Sequence, residues 1–279
     1  MRKRLFYFVY VNGIGPYDSG FRGTMYEYNL INLKRYADRF DCSTFILSFS
    51  EDVNDVDRIV GDYVSHITSI GFDKDVEFIV EPNTQLREAD AFYRHFVMDI
   101  DRYIGELVFF AHAKGISNEV NDSLLKWLCS MYYFSLEDIN SAMDWLLSKR
   151  KAFYGFPLIN AMDCPYHQFE IRPKYKYYYY GTMYWMNPGL IRDCMADEWY
   201  KGELPKLYDR YYAEQFPAMC VPMRFAATYG GVSTLNGIDL YRNFDVLLGE
   251  FDSGFDKDSP VPGFLEHYKS ILDEFNLAR

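Results

Sequence analysis

Cysteine is scarce and scattered. The chain has five in 279 residues, at positions 42, 129, 164, 194 and 220, and no two stand in a C-x-x-C pair. That spacing offers neither a zinc site nor a disulfide framework. No apolar run reaches the roughly 20 residues a membrane-crossing helix needs. The start, Met1-Arg2-Lys3-Arg4 followed by Leu5–Val11, has the charge of a signal peptide. It lacks the length and the small-residue cleavage site, and Asn12-Gly13 closes it as a turn closes a strand. A reducing cytoplasm and no transmembrane segment are the expectation. Positive charge is also in deficit: 29 Lys and Arg face 40 Asp and Glu, for a net charge of -11 and a pI of about 5.0. A surface of that sign repels polyanions, which argues against a nucleic-acid partner while leaving room for a local basic pocket.

Familiar phosphate and calcium signatures are missing as well. Glycines 13, 15 and 20 follow the first apolar segment, but without the spacing and trailing lysine of a P-loop, and not as G-x-G-x-x-G. The loop still suits a nucleotide, because bare backbone N–H groups permit close approach; a plain connection is the other reading. The cluster Glu51–Asp57 lacks the central glycine and terminal glutamate of an EF-hand. It reads as a solvated helix start, with acids at the positive end of the dipole.

What the sequence has in excess is aromatic side chains, 26 Tyr and 23 Phe, within a 49% hydrophobic composition. That is enough for one large core. Apolar runs at Leu5–Val11, Cys42–Phe49, Asp75–Val80 and Glu106–Ala111 read as buried strands. Helical spacing lies between them: Thr24 to about Phe40, a helix from the acidic cluster, and a long helix from Pro82-Asn83-Thr84 to about Tyr103. Strand–helix alternation predicts a mostly parallel, doubly wound α/β sheet flanked by helices. Further on, Ser123–Tyr133 and Leu136–Arg150 read as helices and Ala152–Ile159 as a strand. Lys174–Met186 reads as a Tyr-rich strand, followed by a helix from Pro188 to Trp199 and another over Tyr208–Phe216. Alternation ends after Val221, with helices expected at about Gly237–Gly249 and Gly263–Asn276. The expected organisation is one α/β domain over residues 1–220 and a helical appendage over 221–279, packed on the same domain.

The stretch Phe-Phe-Ala-His-Ala-Lys-Gly-Ile-Ser, residues 109–117, holds the strongest functional signal. A strand that ends in His112 and Lys114 presents both on one side, at the carboxyl edge where open α/β sheets bind ligands. Gly115 allows a positive φ or close backbone approach. A satisfied histidine, a surface lysine and a turn glycine is the alternative. Arg87 opens a helix where it can reach a phosphate or pair with Glu88 and Asp90. Asp163 and Glu170 lie in a long polar segment, Asp163–Tyr175, of functional-loop length. Asn187 can meet sugar hydroxyls or cap the helix that Pro188 opens. Tyr184 and Trp185 can stack on a sugar, although one of the two is expected inward.

A strand ending His-x-Lys-Gly comes first, then Trp127 to Phe134, then Gly-Thr-Met-Tyr-Trp-Met-Asn-Pro at 181–188 and Ala-Glu-Gln-Phe-Pro at 213–217. This set resembles a group of bacterial glycosyltransferases of the GT-A type found among surface-polysaccharide genes, over about residues 105–217. In the family pattern the run before Asn-Pro is of the Gly-Asn-Phe-Trp-Trp type; here it is Gly-Thr-Met-Tyr-Trp. The resemblance implies a GT-A-like fold, a nucleotide-sugar donor and a saccharide acceptor. GT-A enzymes usually place Asp-x-Asp at the end of the fourth strand to hold a divalent metal on the donor diphosphate. His112-Ala113-Lys114 stands there instead, so no metal is indicated, and Lys114 is expected to neutralise the diphosphate directly. Asp99-Ile100-Asp101 is placed in the preceding helix and is not a metal site. Glu214 closes the α/β part where the family places a carboxylate, and is the expected base, with His112 and Lys114 as its catalytic partners; an exposed helix glutamate is the alternative, and Asp163 and Glu170 are the next candidates for the base. Asn12, Gly13, Arg87, Lys114 and Gly115 are the expected donor contacts; Tyr184, Trp185, Asn187 and Asp163 are the expected acceptor contacts. A non-catalytic binder of carbohydrate or nucleotide is the competing class. A phosphoryl or nucleotidyl transferase is disfavoured for want of an acidic pair at a strand end.

Overall fold

The computed structural model describes residues 1–11, 15–16, 20–49, 53–84, 88–113, 120–160, 177–179, 181–195, 212–229, 244–253 and 259–277. Among these, seven strands form one sheet. They are β1 (Arg2–Val11), β2 (Cys42–Phe49), β3 (Val76–Pro82), β4 (Glu106–His112), β5 (Phe153–Gly155), β8 (Tyr184–Met186) and β9 (Ala226–Thr228). The order is β3-β2-β1-β4-β8-β5-β9, and β4 is the central strand. β1, β2, β3 and β4 are parallel, β8 runs against both β4 and β5, and β9 is parallel to β5. β6 (Leu158–Asn160) and β7 (Tyr177–Tyr179) form a separate antiparallel pair. The fold is therefore α/β, with a mostly parallel sheet flanked by helices, as the alternation predicts.

Both faces of the sheet are covered, which is why β1, β2 and β4 are almost continuously apolar. Leu5, Tyr7, Val9, Phe45, Leu47, Phe109 and Trp185 pack on one side. There they meet α1 (Phe21–Lys34), α2 (Val56–Ser69), α4 (Asp122–Leu136), α5 (Ile139–Met143), α8 (Phe244–Asp252) and α9 (Val261–Leu277). Phe6, Phe8, Ile46, Phe110 and Tyr184 pack on the other, against α3 (Glu88–Phe92), α6 (Pro188–Met195) and α7 (Tyr212–Cys220). α1 and α2 carry the chain outward from β1 to β3 over one face. α3 carries it back to β4 over the other, as right-handed crossovers require. The direction of winding thus reverses between β1 and β4.

Several boundaries differ from the sequence reading. α1 starts at Phe21 rather than after Thr24, whose hydroxyl donates to Gly20 O inside the first turn (2.9 Å), and it ends at Lys34 rather than Phe40. The helix expected to run to Tyr103 breaks: α3 passes into a π-turn over Tyr93–Val97 and then a 3-10 turn over Ile100–Tyr103. Asp101 lies in that turn, 3.2 Å from Arg192 on α6. The Ala152–Ile159 segment splits into β5 and β6 around Pro157, which has no N–H for a ladder. The Tyr-rich segment splits at Gly181 and Thr182, both at positive φ (98° and 62°). α7 (Tyr212–Cys220) extends past the expected Phe216 and α8 (Phe244–Asp252) past the expected Gly249, while their expected starts at Tyr208 and Gly237 lie outside the described residues; α9 starts at Val261, two residues before the expected Gly263. β9 lies beyond residue 220, so the sheet draws its edge strand from the segment assigned to the appendage.

Candidate functional site

The carboxyl edge of the parallel strands is built from Tyr10, Ser48, Glu81 and His112. Strand register sets Tyr10 and Glu81 on either side of Ser48. His112 is level with Phe8, one pleat lower, where Ala113 N donates to Phe8 O (3.1 Å). Their even spacing from Phe8, Ile46, Ile79 and Phe110 puts all four on the face that α3 covers. His112 is buried, with 6% of its surface exposed.

Glu81 is buried yet ionised. Burial alone pushes its carboxyl up, but hydrogen bonds from His95 and Arg94 outweigh this and hold it below the usual glutamate range. Arg94 Nη2 donates to Oε1 (2.9 Å) and also to Asp90 (2.9 Å). His95 Nε2 lies 2.6 Å from Oε2, and since a carboxylate only accepts, the ring nitrogen donates. Ser48 is 1% exposed, and its hydroxyl donates to Asn83 Oδ1 (3.2 Å). Asn83 N donates to Phe49 O (2.6 Å), tying the residue to the ends of both β2 and β3.

Of the residues expected from sequence, His112 is placed at this edge. Asn12, Gly13, Arg87, Lys114, Gly115 and Asp163, with Glu170, lie outside the described residues. Val11 and Ala113, which directly precede Asn12 and Lys114, sit at the ends of neighbouring strands β1 and β4. Glu214 is on α7, where only its backbone is described.

Three acceptor assignments are corrected. Tyr184 and Trp185 are both 0% exposed, so neither ring has a face for a saccharide. Tyr184 Oη donates to Ala213 O on α7, and Trp185 Nε1 to Ser135 O (2.8 Å) on α4. The pair bolts opposite helix layers to β8. Asn187 is the N-cap of α6: its Oδ1 accepts from Leu190 N (3.3 Å), while Nδ2 donates to Leu146 O (3.3 Å). With both ends of the amide engaged, its cap role replaces the sugar contact.

Ser48, Glu81, Asn83 and His95 are site residues that the sequence reading misses. Ser48 offers the one available signal, a lone hydroxyl near the end of an apolar strand. Fourteen residues separate Glu81 from His95, a spacing that no local motif marks.

No family model matches the chain, and no curated protein matches it. Among solved structures it is similar to 4-diphosphocytidyl-2C-methyl-D-erythritolsynthase from Anaerococcus prevotii, at 13% identity and a TM-score of 0.39, over 88% of this chain and 93% of that one. A likeness that shallow says nothing about chemistry.

Proposed function

We propose that the chain is a GT-A-like glycosyltransferase that moves a sugar from a nucleotide-sugar donor to a saccharide acceptor of the surface-polysaccharide type, in the cytoplasm. The observation that carries this reading is the reversal of winding between β1 and β4. In open α/β sheets that crevice is where ligands bind, and the two strands lead directly into Asn12-Gly13 and Lys114-Gly115. The donor diphosphate is assigned to Lys114, with Asn12, Gly13, Arg87 and Gly115 as further contacts and His112 beneath it. Glu214 takes the proton from the acceptor hydroxyl, whose oxygen attacks the anomeric carbon. The bond from that carbon to the diphosphate oxygen breaks, and the Lys114 ammonium meets the charge on the departing group. Asp163 is kept as an acceptor contact. Among the described residues, no His, Cys, Asp and Glu cluster fit for a metal is found, and no helix is long and apolar enough to cross a membrane.

The test is release of nucleoside diphosphate from a panel of nucleotide sugars, paired with calorimetry of the diphosphates in EDTA. Binding should survive chelation, and Lys114→Ala should weaken it by about 1.5–3 kcal/mol, the size of a charge-assisted hydrogen bond. Glu214→Gln should lower turnover roughly a hundredfold without unfolding the protein. Diphosphate binding with no turnover of any donor would leave a binding protein. Binding abolished by EDTA would remove Lys114 from the role of the metal.

A further inference from the structure

We infer that Asn83 selects the base of the nucleotide, and that it selects bases carrying a carbonyl where cytosine and adenine carry an amino group. This rests on the proposed donor site at the β1–β4 crevice and names the class of nucleotide it takes.

Ser48 and Asn83 form a two-residue device at the edge. The serine hydroxyl, buried on β2, occupies Asn83 Oδ1 at 3.2 Å. Among the described residues nothing engages Asn83 Nδ2, while the backbone N–H is spent on Phe49 O. The amide thus has its acceptor turned inward and its two N–H donors left over, on a half-buried side chain at the rim. Such a group attracts carbonyl oxygen and is mismatched to an exocyclic amine. Its location suits a base. Asn83 follows β3, two strand spacings from β1, or about 10 Å across the sheet. A nucleoside reaching back from a diphosphate in the crevice spans that interval. Tyr10, the register partner of Ser48, lies between them with its ring half-buried on the same face. Uracil, thymine and guanine present the required carbonyl at O4 or O6. Cytosine and adenine present N–H donors at those positions.

Calorimetry with UDP, GDP, CDP and ADP on the wild-type chain, Asn83→Asp and Ser48→Ala tests this. The wild type should bind UDP or GDP at least tenfold more tightly than CDP and ADP. Asn83→Asp replaces the donors with acceptors, and should bring the ratio below threefold or reverse it. Ser48→Ala frees the amide to turn over, and should narrow the preference while leaving the tightest affinity within a few-fold. Neither variant touches the backbone bond to Phe49, and unchanged thermal melting confirms that folding is retained. Equal affinities in the wild type, or a preference that Asn83→Asp leaves unaltered, would overturn the inference. Failure of all four diphosphates to bind would remove it together with the donor site. A base preference without sugar transfer would leave the inference standing and end the transferase reading alone.

Discussion

At the scale of single residues, the buried carboxylate Glu81 joins stability to pH. His95 and Arg94 hold it ionised against the burial that opposes charge. Its folded pKa is depressed, so the stabilisation is complete above the ordinary glutamate pKa, near 4.3. It is lost as pH falls through the lower, folded value. Glu81→Gln should therefore melt below the wild type at pH 7, and the gap between the two should close as pH drops below about 4. A gap independent of pH from 7 to 3 would mean that the loss is one of shape rather than charge. Residue-scale facts are the least legible in the sequence. Tyr184 and Trp185 look like a sugar platform when read along the strand, and only the layers above and below β8 show that both are enclosed. Asn187 carries both of its readings in the sequence, and the geometry of the α6 start decides for the cap.

At the scale of elements, strands are easier to read than helices. β2 runs over the expected residues, because a strand covered on both faces is mostly apolar, here around Phe45-Ile46-Leu47, and contrasts with the polar segments on either side. The break after α3 is not legible. Tyr93–Val97 keeps helical spacing, yet Met98 N reaches back five residues to Tyr93 O, and Tyr103 Oη donates to His95 O. A hydroxyl arriving from outside the helix takes a carbonyl of its ladder, and periodicity cannot reveal that. The turn before β8 is similar, since only Gly181 marks it. Gly181 has φ +98°, and a Cβ added there would fall against Met131 Sδ and 3.2 Å from the Trp127 ring. Gly181→Ala should cost about 2 kcal/mol or more in urea denaturation, combining left-handed strain with overpacking. A loss below about 0.5 kcal/mol would show that Met131 moves aside and that the turn relaxes.

At the scale of the whole molecule, the issue is whether the C-terminal helices fold as part of the sheet domain. α9 buries Phe264, Tyr268, Ile271 and Phe275 along one stripe, at the spacing of a helix face. Those side chains join the same apolar cluster as Tyr7, Phe109 and Trp185 of the sheet. Phe264 lies against Tyr133 and Phe134 of α4, with ring centroids 5.7 and 5.3 Å away, and Tyr28 of α1 meets Phe275 at 5.2 Å. Polar contacts take the same path. Tyr268 Oη donates to Asp122 (2.7 Å), and Lys126 bridges Asp122 and Asp245. Glu274 receives Lys34 and Arg35. The exposed pairs add little each, so the shared apolar layer decides the outcome. Phe264→Ala removes a fully buried ring from that layer, and should cost about 3–5 kcal/mol. Because the ring touches α4, which packs on the sheet, the loss should lower the melting of the entire chain. Far-UV and near-UV circular dichroism should then fall together in one shifted transition. An early partial loss of helix signal, with the rest melting at the wild-type temperature, would establish residues 261–277 as an independent unit.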